Sequence, residues 1–149
     1  MTTQMQKTVS VPLTSDAAFD LFTRDIACWW PAKHTQSGKP ARIEVEPHKG
    51  GRITEVTHDG TRILWGTIIG WDRGKYLSFT WHPGEPEAKA TIVAISFTAT
   101  PDGTRVDLTQ GDFDVLGDLA DAVSTTFLRS WALVLGCYHT CAVKELVAA

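Results

Sequence analysis

The chain lacks the marks of several large functional classes. No apolar run approaches the roughly 18 residues of a membrane-crossing helix, so no span is expected. Residues Met1–Lys7 carry neither an apolar run nor a cleavage site, so no secretory leader is expected. Lys and Arg never stand side by side, and 14 basic against 17 acidic residues leave a net charge of −3. The basic stripe of a nucleic-acid binder is therefore missing. Three cysteines, Cys28, Cys137 and Cys141, form no C-x-x-C pair and are odd in number. Reduced thiols in a cytoplasm are the simplest reading. No P-loop, G-x-S-x-G or G-x-G-x-x-G occurs, so no phosphate cradle and no nucleophilic serine can be named. No repeat, linker or low-complexity segment interrupts the chain.

What is present is tryptophan. Six of the fourteen aromatic residues are Trp, in a chain of 149 residues that is 43% hydrophobic. That length is one domain, read as spanning residues 1–149, and is enough to bury a core without disulfides or a structural metal.

Period-two alternation marks a first strand at Val9, Val11 and Leu13. Ser15 is the expected N-cap of a short helix through Phe22, with Phe19 and Phe22 on one face. A second helical turn runs through Asp25–Trp30 and stops near Pro31, followed by a polar loop over 32–40. Six strands then follow at 43–46, 52–57, 63–69, 76–81, 90–100 and 104–110. Gly50-Gly51, Asp59-Gly60, Arg73-Gly74 and Asp102-Gly103 separate them as hairpin turns. From about Leu116 the period changes to three and four, marking an amphipathic helix to about Val147, roughly 45 Å long. Gly136 is a weak point in it or a close contact. Such a meander has one apolar face that needs a cover, and this helix is the element long enough to supply it. The expected fold is α+β: a curved antiparallel sheet of six to seven strands around a long C-terminal helix.

The same order of elements resembles the helix-grip fold of the START/Bet v 1-like (SRPBCC) superfamily. More narrowly, the chain resembles the heat-shock-90 ATPase activator homologues. The residues that carry the likeness are Ala17–Phe22, Trp29-Trp30, Glu46-Pro47 to Arg52, Gly66 to Asp72, Leu77–Trp81, Gly103–Thr109 and Ser130–Leu135. Ser130 stands where the family usually has Gly. The resemblance implies a cavity between sheet and helix. It also implies relatives that include cyclases and dehydratases acting on aromatic, polyketide-like compounds, and a family name that points to chaperone regulation.

Apolar side chains are expected to converge on that space from both layers. Trp30, Trp65, Trp81, Ile95, Phe97, Phe127, Trp131 and Leu135 are the expected lining of a site for a hydrophobic or aromatic small molecule, with Trp30 closing the entrance. The inward face of residues 63–71 stays open, because both faces are apolar. The alternative to a cavity is that these side chains fill one another's space.

No catalytic residue can be named. Of the five histidines, His82, next to Trp81 at a strand end, is the best acid–base candidate. Cys137 and Cys141 share a helical face, but His139 points about 160° away from Cys141, so no metal and no cofactor are expected. The carboxylate pairs, Glu44/Glu46 and those near the start of the long helix, read as solvated or helix-dipole residues. The functional expectation is a cytoplasmic binding protein. A cyclase- or dehydratase-like enzyme is the alternative, and a chaperone regulator a more remote one. No nucleic-acid or membrane partner is expected, and a homodimer is compatible with the sequence.

Overall fold

The computed structural model describes residues 5–83, 88, 90–111 and 120–148, with the side chains of the last helix described over 129–145. Strand β1 (Met5–Val11) leads into helix α1 (Ser15–Phe22) and two 3-10 turns at Ile26–Cys28 and Ala32–His34. Strands β2 (Pro40–Val45), β3 (Arg52–Thr57), β4 (Arg62–Asp72), β5 (Tyr76–Trp81), β6 (Thr91–Thr100) and β7 (Gly103–Gly111) follow, and helix α2 (Ala120–Ala148) closes the chain.

The seven strands make one sheet in the order β1-β7-β6-β5-β4-β3-β2, each pair antiparallel. Strands β2 to β7 form the expected meander. β1 pairs with β7, so the segment of α1 and the two 3-10 turns carries the chain from one edge of the sheet to the other. That path lays the insert across the concave face, under α2.

Local chemistry explains the insert. Thr14, not Ser15, caps α1: its backbone is extended and its Oγ1 accepts from the Ala17 N–H at 3.2 Å, while Ser15 is already helical. Ala18, Phe19, Leu21 and Phe22 form the buried side of α1. The stretch read as a polar loop contains the second 3-10 turn, Ala32–His34.

β-Bulges settle the facing of residues 63–71. Pairing shifts between Ile53 and Thr54 against β4, and again between Ile68 and Gly70 against β5. Each bulge adds one residue and resets the alternation. Trp65 and Ile68 are consequently both buried though three apart, and Ile69 turns outward at 41% exposure. Strict period two would have grouped 65 with 67 and 69.

In α2, Trp131, Val134, Leu135, Tyr138 and Ala142 form the buried stripe at three- and four-residue spacing. Trp131 reaches the sheet, and Tyr138 reaches the insert. The Tyr138 hydroxyl donates to the Ala18 carbonyl at 2.7 Å, and its ring packs on Phe22 and Trp29. Burial pushes the Tyr138 phenol up from its ordinary value, so it stays a neutral donor. Gly136 is exposed and makes no close contact, so it is a weak point and not a packing contact.

Candidate functional site

Four tryptophans from four different elements meet over β4 and β5. Trp30 comes from the insert, Trp65 from β4, Trp81 from the end of β5 and Trp131 from α2. Trp30 and Trp81 each touch the other three, with the Trp30 ring centroid 5.1 Å from Trp65, 5.9 Å from Trp81 and 5.8 Å from Trp131. Trp81 lies 5.6 Å from Trp65 and 5.4 Å from Trp131. These are tilted and edge-to-face contacts, the geometry that aromatic quadrupoles favour.

The indole N–H groups of Trp131, Trp65 and Trp30 have polar partners. Trp131 Nε1 donates to Gln110 Oε1 at 2.7 Å, and Gln110 Nε2 donates to Thr91 Oγ1 at 2.8 Å, with both sheet residues buried. This chain of bonds ties α2 to β6 and β7. Trp65 Nε1 donates to Glu55 Oε1 at 3.1 Å. Trp30 Nε1 donates to the carbonyl of His34 at 3.2 Å, inside its own segment. Trp29 turns the other way: its Nε1 donates to the Leu21 carbonyl at 2.8 Å and its ring packs on Tyr138, so it is core.

The other expected lining residues divide. Phe97 belongs to a second aromatic group under α1, 5.2 Å from Phe19 and 6.3 Å from Phe22, with Trp71 edge-on to Phe19 at 4.8 Å. Ile95 is buried opposite Leu77 and Leu108 in the same layer. Leu135 is buried one turn beyond Trp131. The Phe127 side chain lies outside the described residues. An apolar cavity lined by Trp30 and Trp81, with Phe22 and Ile26 of the insert and Ile68 and Phe79 of the sheet, has room for about 10 Å³. That is about one water molecule.

Glu55 and Gln110, which accept from the Trp65 and Trp131 indoles, went unread in the sequence. Glu55 on β3 is fully buried, and among the described residues no Lys or Arg pairs with it. Its carboxylate instead accepts from the Gln36 and Ser37 amides, each at 2.8 Å, from the Ser37 hydroxyl and from the Trp65 indole. Burial raises its pKa, but these four donors outweigh burial and hold it below the ordinary carboxylate value. The alternation Ile53-Thr54-Glu55 was the available signal, because it puts Glu55 on the same face as a core isoleucine.

A depressed folded-state pKa means Glu55 contributes stability above its unfolded value and loses that contribution as pH falls through the folded one. The melting temperature of the wild type is therefore expected to fall below about pH 4.5 more steeply than that of Glu55→Gln, which cannot titrate. Parallel melting curves from pH 3 to 6 would contradict this.

Of the carboxylates named from the sequence, Glu44 and Glu46 are structural, and the side chains of those near the start of the long helix, Asp112, Asp114, Asp118 and Asp121, lie outside the described residues. Glu44 is held low by Arg42 and then Arg62 on the surface, and Glu46 accepts from the Arg52 amide at 2.9 Å. His82 is buried at the end of β5, its backbone N–H on the Trp65 carbonyl at 2.7 Å. Cys28 is exposed while Cys137 and Cys141 are half-buried, and all three are free thiols. Among the described residues no group of three or more His, Cys, Asp or Glu side chains could hold a metal, and no helix is long and apolar enough to cross a membrane.

Comparison with known proteins gives a consistent picture. The sequence profile of the family described as Activator of Hsp90 ATPase homolog 1-like protein matches residues 13–132. No curated protein matches the chain. Among solved structures, a protein from Mesorhizobium loti is similar at TM-score 0.72 and 15% identity, over 96% of this chain and 98% of that one. The Aha1 dimer from Colwellia psychrerythraea is similar at TM-score 0.65 and 14% identity, over 92% and 93%. At those identities the likeness is one of fold. The anthrahydroquino-gamma-pyrone synthase Txn09 is 31% identical over 80% of this chain and 83% of its own, at TM-score 0.58.

Proposed function

Because this chain belongs to the Activator of Hsp90 ATPase homolog 1-like family, we propose that it uses the family's sheet-and-helix fold as a small-molecule binding protein, with the tryptophan cluster as its site and Trp30 as the replaceable ring. One observation carries this reading. Trp30 packs on three tryptophans of the sheet and α2, yet it is delivered by the insert and its indole bonds within that insert. It can leave with its own segment without breaking the sheet or the contact between α2 and β7.

The energetics narrow the ligand. A buried aromatic side chain removes about 150–250 Å² from water, worth roughly 4–6 kcal/mol at 25 cal/mol per Å². Displacing Trp30 returns much of that. A ligand of one small ring would therefore gain little, and the site favours a flat aromatic compound larger than an indole. The reading includes the cytoplasm as compartment, supported by three unpaired thiols.

A titration with 2-naphthol tests the reading. Saturable quenching of tryptophan fluorescence is expected, and Trp30→Ala, which leaves the ring's place vacant, should bind at least about tenfold more tightly. Absence of saturable binding in both proteins would sink the proposal.

An enzymatic reading is favoured by the 31% identity to a synthase whose name describes formation of a pyrone ring. In that reading the cluster positions an aromatic polyketide-like substrate, and Glu55 or His82 supplies the proton transfer. Turnover of such a substrate, abolished in a variant of either residue, distinguishes it from binding alone. Chaperone regulation rests on the family description and is read by stimulation of the heat-shock-90 ATPase.

A further inference from the structure

Glu55 does more than a core position requires. Among the described residues it is the one fully buried acidic side chain, and no cation neutralises it. An apolar residue would fill the same volume with no desolvation penalty. Its donors are also unequal in kind. Trp65 Nε1 belongs to the sheet. The Gln36 amide, the Ser37 amide and the Ser37 hydroxyl belong to the insert, two and three residues past His34, whose carbonyl holds the Trp30 indole. Carboxylate, the strap of residues 34–37, Trp30 and Trp65 therefore form one closed ring of contacts. A ligand that displaces Trp30 pulls on the segment that supplies three of the four hydrogen bonds to Glu55. A buried carboxylate stripped of those donors is strongly disfavoured unless something replaces them.

We propose that the Glu55 carboxylate is the polar half of the ligand site, accepting a hydroxyl hydrogen of an aromatic ligand in place of the donors of residues 36–37. The proposal rests on the reading that the tryptophan cluster binds aromatic compounds. It assigns the ligand class as aromatics that carry a hydrogen-bond donor, a phenol being the simplest, since an ionised carboxylate accepts but cannot donate. Glu55 then selects phenols over their ethers, and the same contact couples binding to release of the strap.

A matched pair of probes tests it: 2-naphthol, and 2-methoxynaphthalene, which keeps the ring system and oxygen but has no O–H to donate. The wild type should bind the naphthol at least about tenfold more tightly, the size of a hydrogen bond to a charged group. Glu55→Gln should cut that preference about fivefold or more, because the bond becomes neutral. In the wild type, naphthol should also speed hydrogen exchange at the Gln36 and Ser37 amides, a readout that needs no variant and survives failure of Glu55→Gln to fold. Equal affinity for the two probes, or Gln36 and Ser37 amides that stay protected in the naphthol complex, would overturn the role of Glu55 while leaving the binding site standing. Failure of both probes to bind the wild type and Trp30→Ala would instead remove the binding reading itself, and this one with it.

Discussion

Trp131→Ala is expected to lower the free energy of unfolding by about 3–5 kcal/mol. Trp131 is 2% exposed and its ring fills the angle between Trp30 and Trp81, so truncation leaves a cavity lined by rings that belong to two other elements. The same change strands Gln110 Oε1, whose residue is fully buried, and an unsatisfied buried acceptor is itself worth about 1–3 kcal/mol. The two effects overlap, because water entering the cavity can reach Gln110, so they are not summed. Denaturant unfolding or a melting shift of roughly 10 °C checks the expectation. A loss near 1 kcal/mol accompanied by weaker probe binding would mean that Trp131 is the wall of an open pocket and not part of a filled core.

The second large effect is at Gly66, on β4 beside the bulge. A Cβ there would fall inside the Thr80 carbonyl oxygen on the neighbouring strand, and backbone atoms have no rotamer by which to retreat. Gly66→Ala must therefore part β4 from β5, beside the hydrogen bond from the Thr67 amide to Thr80 Oγ1 at 2.9 Å. It also disturbs the backbone that carries Trp65 into the cluster. A loss of about 3 kcal/mol or more is expected, at the upper end of overpacking. Gly136→Ala is the control of opposite sign. That glycine is helical and exposed with open space around its Cβ position, so alanine should stabilise by up to about 1 kcal/mol. Melting curves of the two variants check both, and a neutral Gly66→Ala would show that the strands separate there more easily than the geometry implies.

Much of the architecture was legible from one-dimensional periodicity. Leu77, Phe79 and Trp81, then Val93, Ile95 and Phe97, alternate inward as their spacing says, and the stripe of Trp131, Leu135 and Tyr138 faces the core. Local signals misled at single residues. Ser15 and Thr14 are both good caps, and only the backbone conformation at the start of α1 selects Thr14. Trp65 was named for the lining but the facing of its strand stayed open, because a bulge is a property of two strands, not of one. The candidate site was half legible. The tryptophans could be named because large rings with one polar hydrogen stand out anywhere in a sequence. Glu55 was passed over, because a carboxylate on a strand is ordinarily solvated, which outweighed its alternation with Ile53.

By itself the sequence determined the elements, their order and the class of fold, since propensity, turn chemistry and hydrophobic period act between neighbours along the chain. It also determined that the molecule would be rich in rigid aromatic surface. Only the tertiary structure decided that Trp30, Trp65, Trp81 and Trp131 meet, that Phe97 belongs elsewhere, and that Glu55 is buried with donors drawn from residues 36–37. Those outcomes depend on the insert crossing the sheet and on the bulges resetting β4, and both are set by packing between segments far apart in sequence.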